Sequence, residues 1–107
     1  MIEKVQIHPE GPTFSRLVWG VMNWGKWGHR LSAKEMLRRI ELAIERGVTT
    51  FDHADIYGDY TTEEEFGEAL RQRPELRKKM EIVTKCGIRM LAPNRPGHRI
   101  KSYDTSA

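Results

Sequence analysis

Phe51-Asp52-His53-Ala54-Asp55-Ile56-Tyr57-Gly58, followed by Val83-Thr84-Lys85-Cys86-Gly87, are the two stretches that decide how this chain folds. Each begins in a short apolar run and breaks into polar and small residues, the pattern of a buried strand and the loop beyond it. An acid, a phenol and a lysine therefore fall at the ends of two successive strands. An ammonium beside a phenol favours the phenolate, and a carboxylate beside the ammonium keeps it charged and aimed. Asp52, Tyr57 and Lys85 together outline a proton-transfer site.

Working outward, Gly20, Asp52 and Lys85 are spaced by 32 residues (20 to 52) and 33 residues (52 to 85). That is the repeat of one strand, one helix and two loops. Leu17 to Met22 reads as a first parallel strand buried on both faces, ending near Gly20. A helix is expected over 33–46: Ser32 can cap it with Glu35 reaching back, and Gly47 can supply a left-handed stop. Ala33, Met36, Leu37, Ile40, Ala43 and Ile44 form its apolar stripe. A second strand is expected at 48–53. Thr62 and Glu65 repeat the capping-box pattern ahead of Phe66, Ala69 and Leu70, and Glu63, Glu64 and Glu65 suit a helix N-terminus. After Pro74 a further turn over 76–80 leads into a third strand at 82–85, so the order is β-α-β-α-β.

At the N-terminus, residues 3–8 and 14–18 flank Pro9-Glu10-Gly11-Pro12, which predicts a hairpin. Residues 91–107 carry turn residues without a period and read as a flexible loop. Asp104, Thr105 and Ser106 there are good helix-capping residues with no helix after them.

The chain has 107 residues, 38% hydrophobic and 31% charged, and no run approaches the ~18 apolar residues of a membrane span. Residues 1–8 alternate polar and apolar and lack the pattern of a secretory signal. The single cysteine, Cys86, excludes an intrachain disulfide and suits a reducing cytoplasm. Lys plus Arg at 18 against Asp plus Glu at 15 is close to balance and demands no nucleic-acid partner.

Gly47 to Gly58, with tyrosine five positions after aspartate and with Lys85 beyond, resembles the signature of the aldo-keto reductases. The likeness extends from Gly20-Val21-Met22-Asn23-Trp24-Gly25 through Gly67-Glu68-Ala69-Leu70 to Lys85-Cys86-Gly87. It implies an α/β fold, part of a (β/α)8 TIM barrel: about three βα units preceded by a β-hairpin that caps the barrel floor. A whole barrel needs about 250 residues, so residues 1–107 would be the N-terminal part of one domain. The implied activity is NADP-dependent reduction of an aldehyde or ketone, with hydride from the nicotinamide, Tyr57 as general acid, Lys85 tuning it, and Asp52 pairing with Lys85 and lying near the nicotinamide ribose. Gly20, Val21 and Met22 would let the backbone approach the cofactor. Trp24, ahead of Trp27, would line the substrate pocket. The histidine that orients the carbonyl in this family comes from a strand beyond residue 107, so the chain alone should be inactive.

Blander readings stand beside these. His8, His29, His53 and His98 share no metal-ligand spacing with one another or with Cys86, so no metal is expected. His53 follows Asp52 on a strand and so points to the opposite face, as a packing residue against a helix. Arg77-Lys78-Lys79 and the basic stretch from Arg95 to Lys101 read as solvated surface. An alternative to the enzyme is a small α/β binding or regulatory module, either holding a partner through Trp19, Trp24 and Trp27 or sensing a cofactor without turnover.

Overall fold

The computed structural model describes residues 3–106. Strands β1 (Lys4–Gln6) and β2 (Thr13–Ser15) pair antiparallel, Lys4 opposite Ser15 and Gln6 opposite Thr13. The Gln6 amide closes the turn by donating to the carbonyls of Pro9 and Gly11. The predicted hairpin is therefore present.

Next come β3 (Val18–Gly20), β4 (Thr50–Asp52) and β5 (Glu81–Val83), a parallel sheet in the order β3-β4-β5. Gly20, Asp52 and Val83 stand side by side in register. Side chains alternate across such a sheet, so Trp19, Phe51 and Ile82 face one way, and Gly20, Asp52 and Val83 the other. The first face packs on the helices, where Met36, Ile40, Phe51 and Phe66 are at most 2% exposed. Each such burial contributes about 1.5–3 kcal/mol.

Helix α1 (Ala33–Glu45) links β3 to β4, beginning where expected and ending one residue before the expected 46. The Ser32 hydroxyl accepts the Glu35 N–H while the Glu35 carboxylate accepts the Ser32 N–H. At the other end Val48 N–H reaches the Ala43 carbonyl and Gly47 N–H that of Ile44, with Gly47 at φ +83°. That is the double-bonded left-handed stop a glycine permits. Met36, Leu37, Ile40 and Ala43 are buried, as the periodicity requires.

Between β4 and β5 lie a short turn α2 (Tyr57–Tyr60), helix α3 (Thr62–Arg71) and a 3₁₀ turn over Pro74–Lys79. The expected Thr62–Glu65 capping box does not form. Gly58, Asp59 and Tyr60 all have positive φ, so the chain turns sharply before α3 and Thr61 becomes its cap position. The Thr61 hydroxyl donates back to the Gly58 carbonyl. Thr62 is drawn into the core, where its hydroxyl has no partner among the described residues. Glu63, Glu64 and Glu65 still fill the first turn.

Two further expectations are corrected. Strand β3 is not buried on both faces: Val18 is 51% exposed because the three strands do not close on themselves and β3 lies at the sheet edge. Nor is the C-terminal stretch plain loop. Strands β6 (Ile88–Arg89) and β7 (Ser102–Tyr103) pair antiparallel, and Ala92 bridges to Arg95. Two-residue strands show no period, and a side chain far away in sequence holds this excursion. The Tyr60 hydroxyl donates to the Ile88 carbonyl and accepts the Met90 N–H.

Candidate functional site

The pairing of β4 with β5 continues past the strand ends. His53 N–H donates to the Val83 carbonyl at 2.7 Å and Asp55 N–H to the Lys85 carbonyl at 3.0 Å. These bonds lay the backbone at Lys85 alongside residues 53–55. Lys85, two residues beyond Val83, shares its face of the sheet, which is the face of Asp52. The Lys85 ammonium then donates to Asp52 Oδ1 at 2.6 Å and to the His53 carbonyl at 2.6 Å, and lies 5.4 Å from the centroid of the Tyr57 ring.

Burial is the largest single influence on the Lys85 amine and works against its charge. The hydrogen bond to Asp52, then the charges of Tyr57 and Asp52, outweigh it and hold the amine above the ordinary lysine range. The pair is not sealed: the side chains of Lys85 and Asp52 are 49% and 40% exposed, so a small molecule can reach both. A cleft of about 340 Å³ opens beside Lys85, its walls including Ala54, Ile56, Tyr57, Cys86 and Ile88. It is an apolar hollow with an ammonium and a phenol at its rim.

The other residues singled out from the sequence divide. Gly20 is opposite Asp52 in register, and nothing lies within 4 Å of where a side chain on it would begin. Met22 is exposed. Val21 is not available to a ligand. Its side chain is fully buried, its N–H donates to the Asp52 carbonyl and its own carbonyl accepts the Trp24 N–H. Trp24 is also corrected: it is 1% exposed and packs against Trp19, Phe51 and Phe66, with the Arg39 guanidinium 6.0 Å from its ring. The aromatic wealth of the core outweighs an indole N–H with no partner among the described residues.

Trp27 comes to Tyr57 instead, the two ring centroids 6.1 Å apart. His53 packs against a helix as expected, its ring edge-on to Phe66 at 4.4 Å. Arg77, Lys78 and Lys79 ride the turn that precedes β5, at the end of the strands opposite Lys85.

The residues missed from sequence are Asp59 and Tyr60. Asp59 Oδ2 meets the Lys26 ammonium at 2.7 Å and Oδ1 accepts the Trp27 indole N–H at 3.0 Å. Their one sequence-level signal is position, directly after the Tyr57-Gly58 pair.

The model of the Aldo/keto reductase family matches residues 16–107. Among curated relatives, the uncharacterized oxidoreductase YcsN of Bacillus subtilis is 47% identical over 105 residues, 98% of this chain and 34% of its own length. The 6-dehydroglucose reductase of Agrobacterium fabrum is 44% identical over 93 residues, 87% of this chain and 31% of its own. The chain thus spans about a third of the length of these relatives. Among solved structures, the aldo-keto reductase AKR11C1 from Bacillus halodurans superposes with a TM-score of 0.70 at 25% identity, over 97% of this chain and 31% of that one. The three parallel strands and their helices are accordingly a sector of a (β/α)8 barrel, with the hairpin at the floor and Asp52 and Lys85 at the top.

Proposed function

Since the chain belongs to the aldo/keto reductase family, we propose that it carries the proton-transfer side of a nicotinamide-dependent reductase of aldehydes or ketones. The observation that carries this reading is the meeting of Asp52, Lys85 and Tyr57 at the tips of two neighbouring parallel strands, the end of a barrel where active sites are built.

The residues present fit the cofactor. Asp52 Oδ1 is committed to Lys85, while Oδ2 has no protein donor among the described residues and suits a ribose hydroxyl. Gly20 leaves the neighbouring floor open for a flat ring, and exposed Met22 borders it. NADP is the form the family resemblance implies. When bound, a reduced nicotinamide supplies the hydride that reaches the carbonyl carbon. Tyr57 delivers its phenolic proton to the carbonyl oxygen, so that the product is an alcohol and the phenolate is left beside the Lys85 ammonium. Asp52 and the His53 carbonyl hold that ammonium in place. In the reverse direction Tyr57 takes the proton back. Such a positioned acid contributes about 10²- to 10⁴-fold. The single thiol, Cys86, fits a cytoplasmic setting.

The histidine that would orient the carbonyl is not among these 107 residues, so the chain alone is expected to bind cofactor weakly and not to turn over. Carbonyl-dependent NADPH oxidation, measured on this polypeptide and on one extended through the gene's downstream codons, tests this. Turnover confined to the longer form is the expected result. Turnover by the 107 residues would overturn the account of the missing histidine, and none in either form would overturn the reductase reading.

A further inference from the structure

Tyr57 opens a segment with an unusual backbone. Gly58, Asp59 and Tyr60 lie at φ +66°, +57° and +66°. A Cβ on Gly58 would come within 2.5 Å of the Thr62 hydroxyl, so glycine is required there on space as well as conformation. Aspartate tolerates this region as a single residue, but Asp59 and Tyr60 occupy it in succession. Consecutive left-handed residues bearing Cβ atoms are strained and persist only where their surroundings over-determine them.

Both are gripped. The Tyr60 hydroxyl bonds Ile88 and Met90, and the Arg95 guanidinium stacks 4.4 Å from its ring. Asp59 is gripped from the opposite quarter by Lys26 and Trp27, in the loop between β3 and α1. Its carboxyl is held below the usual range, first by the hydrogen bond from Lys26 and then by that from Trp27, so it is charged at neutral pH.

Resting on the reductase reading, we propose that Asp59 is a positioning residue for Tyr57, acting through Trp27. The two carboxylate oxygens do different work. Oδ2, on Lys26, anchors the loop. Oδ1, on the indole N–H, sets the angle of the Trp27 ring, which stands 59° to that of Tyr57 at 6.1 Å, inside the range of favourable aromatic pairs. Tyr57 is only half-buried, and its ring would otherwise be free to rotate towards solvent. Trp27 holds it beside the Lys85 ammonium. A turn-stabilising role for Asp59 would instead make its loss add to that of Trp27, and this separates the two explanations.

The test uses Asp59→Ala, Asp59→Asn, Trp27→Ala and the double variant Asp59→Ala/Trp27→Ala in the polypeptide translated from the gene's full coding length. It reads steady-state carbonyl reduction and the NMR resonances of the Tyr57 ring protons, which feel the ring current of a neighbouring indole. The Asp59→Ala and Trp27→Ala changes should each lower kcat about 10- to 100-fold, the scale of a misplaced reacting group. KM for the cofactor should hold within about twofold.

The double variant should be no worse than Trp27→Ala, since the two changes remove one interaction. The Tyr57 ring resonances should shift in Asp59→Ala and Trp27→Ala, whereas Asp59→Asn, which keeps an acceptor for the indole, should leave them near their parent positions and recover most of the rate. Multiplying losses in the double variant, or Tyr57 resonances unmoved by Asp59→Ala, would overturn the proposal. Should the unmodified protein reduce no carbonyl, the reductase reading fails on its own, and the resonances alone decide whether Asp59 positions Tyr57.

Discussion

The same three strands carry polar side chains at both ends, and the two ends treat them oppositely. At the floor Ser15 Oγ accepts the N–H groups of Thr49 and Thr50 and donates to the Leu17 carbonyl. The Thr50 hydroxyl accepts the Ser15 N–H and donates to Glu81, which also takes the Thr49 hydroxyl and the Lys4 ammonium. This closed circuit staples the hairpin to the sheet. At the top Asp52 and Lys85 are joined by a single ion pair, and both remain open to solvent. Satisfied groups hold a fold together, whereas a carboxylate with a spare oxygen and an ammonium against an accessible phenol are the groups that the reductase reading reserves for a ligand. The distinction lies in how completely the bonds are made, since polar residue types occur at both ends.

Removing one group from the top has the largest expected effect. Tyr57→Phe in the extended polypeptide should cut carbonyl-dependent NADPH oxidation by about 10²- to 10⁴-fold, leaving cofactor affinity and the denaturation midpoint unchanged. A rate within a few-fold of the parent would show that the top is as structural as the floor. The reciprocal change is Ser15→Ala, which strips two buried N–H groups of their acceptor. It should cost about 1–3 kcal/mol in urea unfolding without altering cofactor binding. An unchanged midpoint would mean that the circuit contributes nothing.

A smaller effect comes from behind the top, where His53 is 2% exposed with both ring nitrogens unpartnered among the described residues. Burial, the main cause, holds its imidazole below the ordinary 6.5. The unfolded chain therefore takes up the proton first. Stability is full above about pH 6.5 and falls with acidification towards the lowered folded value, by at most about 1.4 kcal/mol per pH unit. His53→Leu should flatten that slope, and a slope unchanged in the variant would assign the acid sensitivity to other groups.

Much of this organisation is legible before any coordinates. Ser32 with Glu35 and Gly47 delimit α1 because caps are local chemistry, and Asp52, Tyr57 and Lys85 declare themselves because strand ends and repeat length are local too. What stayed hidden depends on distant partners. Trp24 and Trp27 are three residues apart in one loop, and only Trp19, Phe51 and Phe66 determine that the first is buried while the second meets Tyr57. The left-handed run at 58–60 ends in a tyrosine, which rarely adopts that conformation, so it cannot be read without the grips on Asp59 and Tyr60. The β6–β7 pairing escaped for the same reason, being fastened by Tyr60 from across the chain.

The central claim is that Lys85 and Tyr57 act as one unit at the top of the sheet. Its most direct test is the carbonyl reduction rate of Lys85→Met, Tyr57→Phe and the double variant in the extended polypeptide. The account predicts a double variant no slower than Tyr57→Phe, since tuning a missing phenol has no effect. Losses that multiply would contradict it, because the two residues would then be serving separate ends.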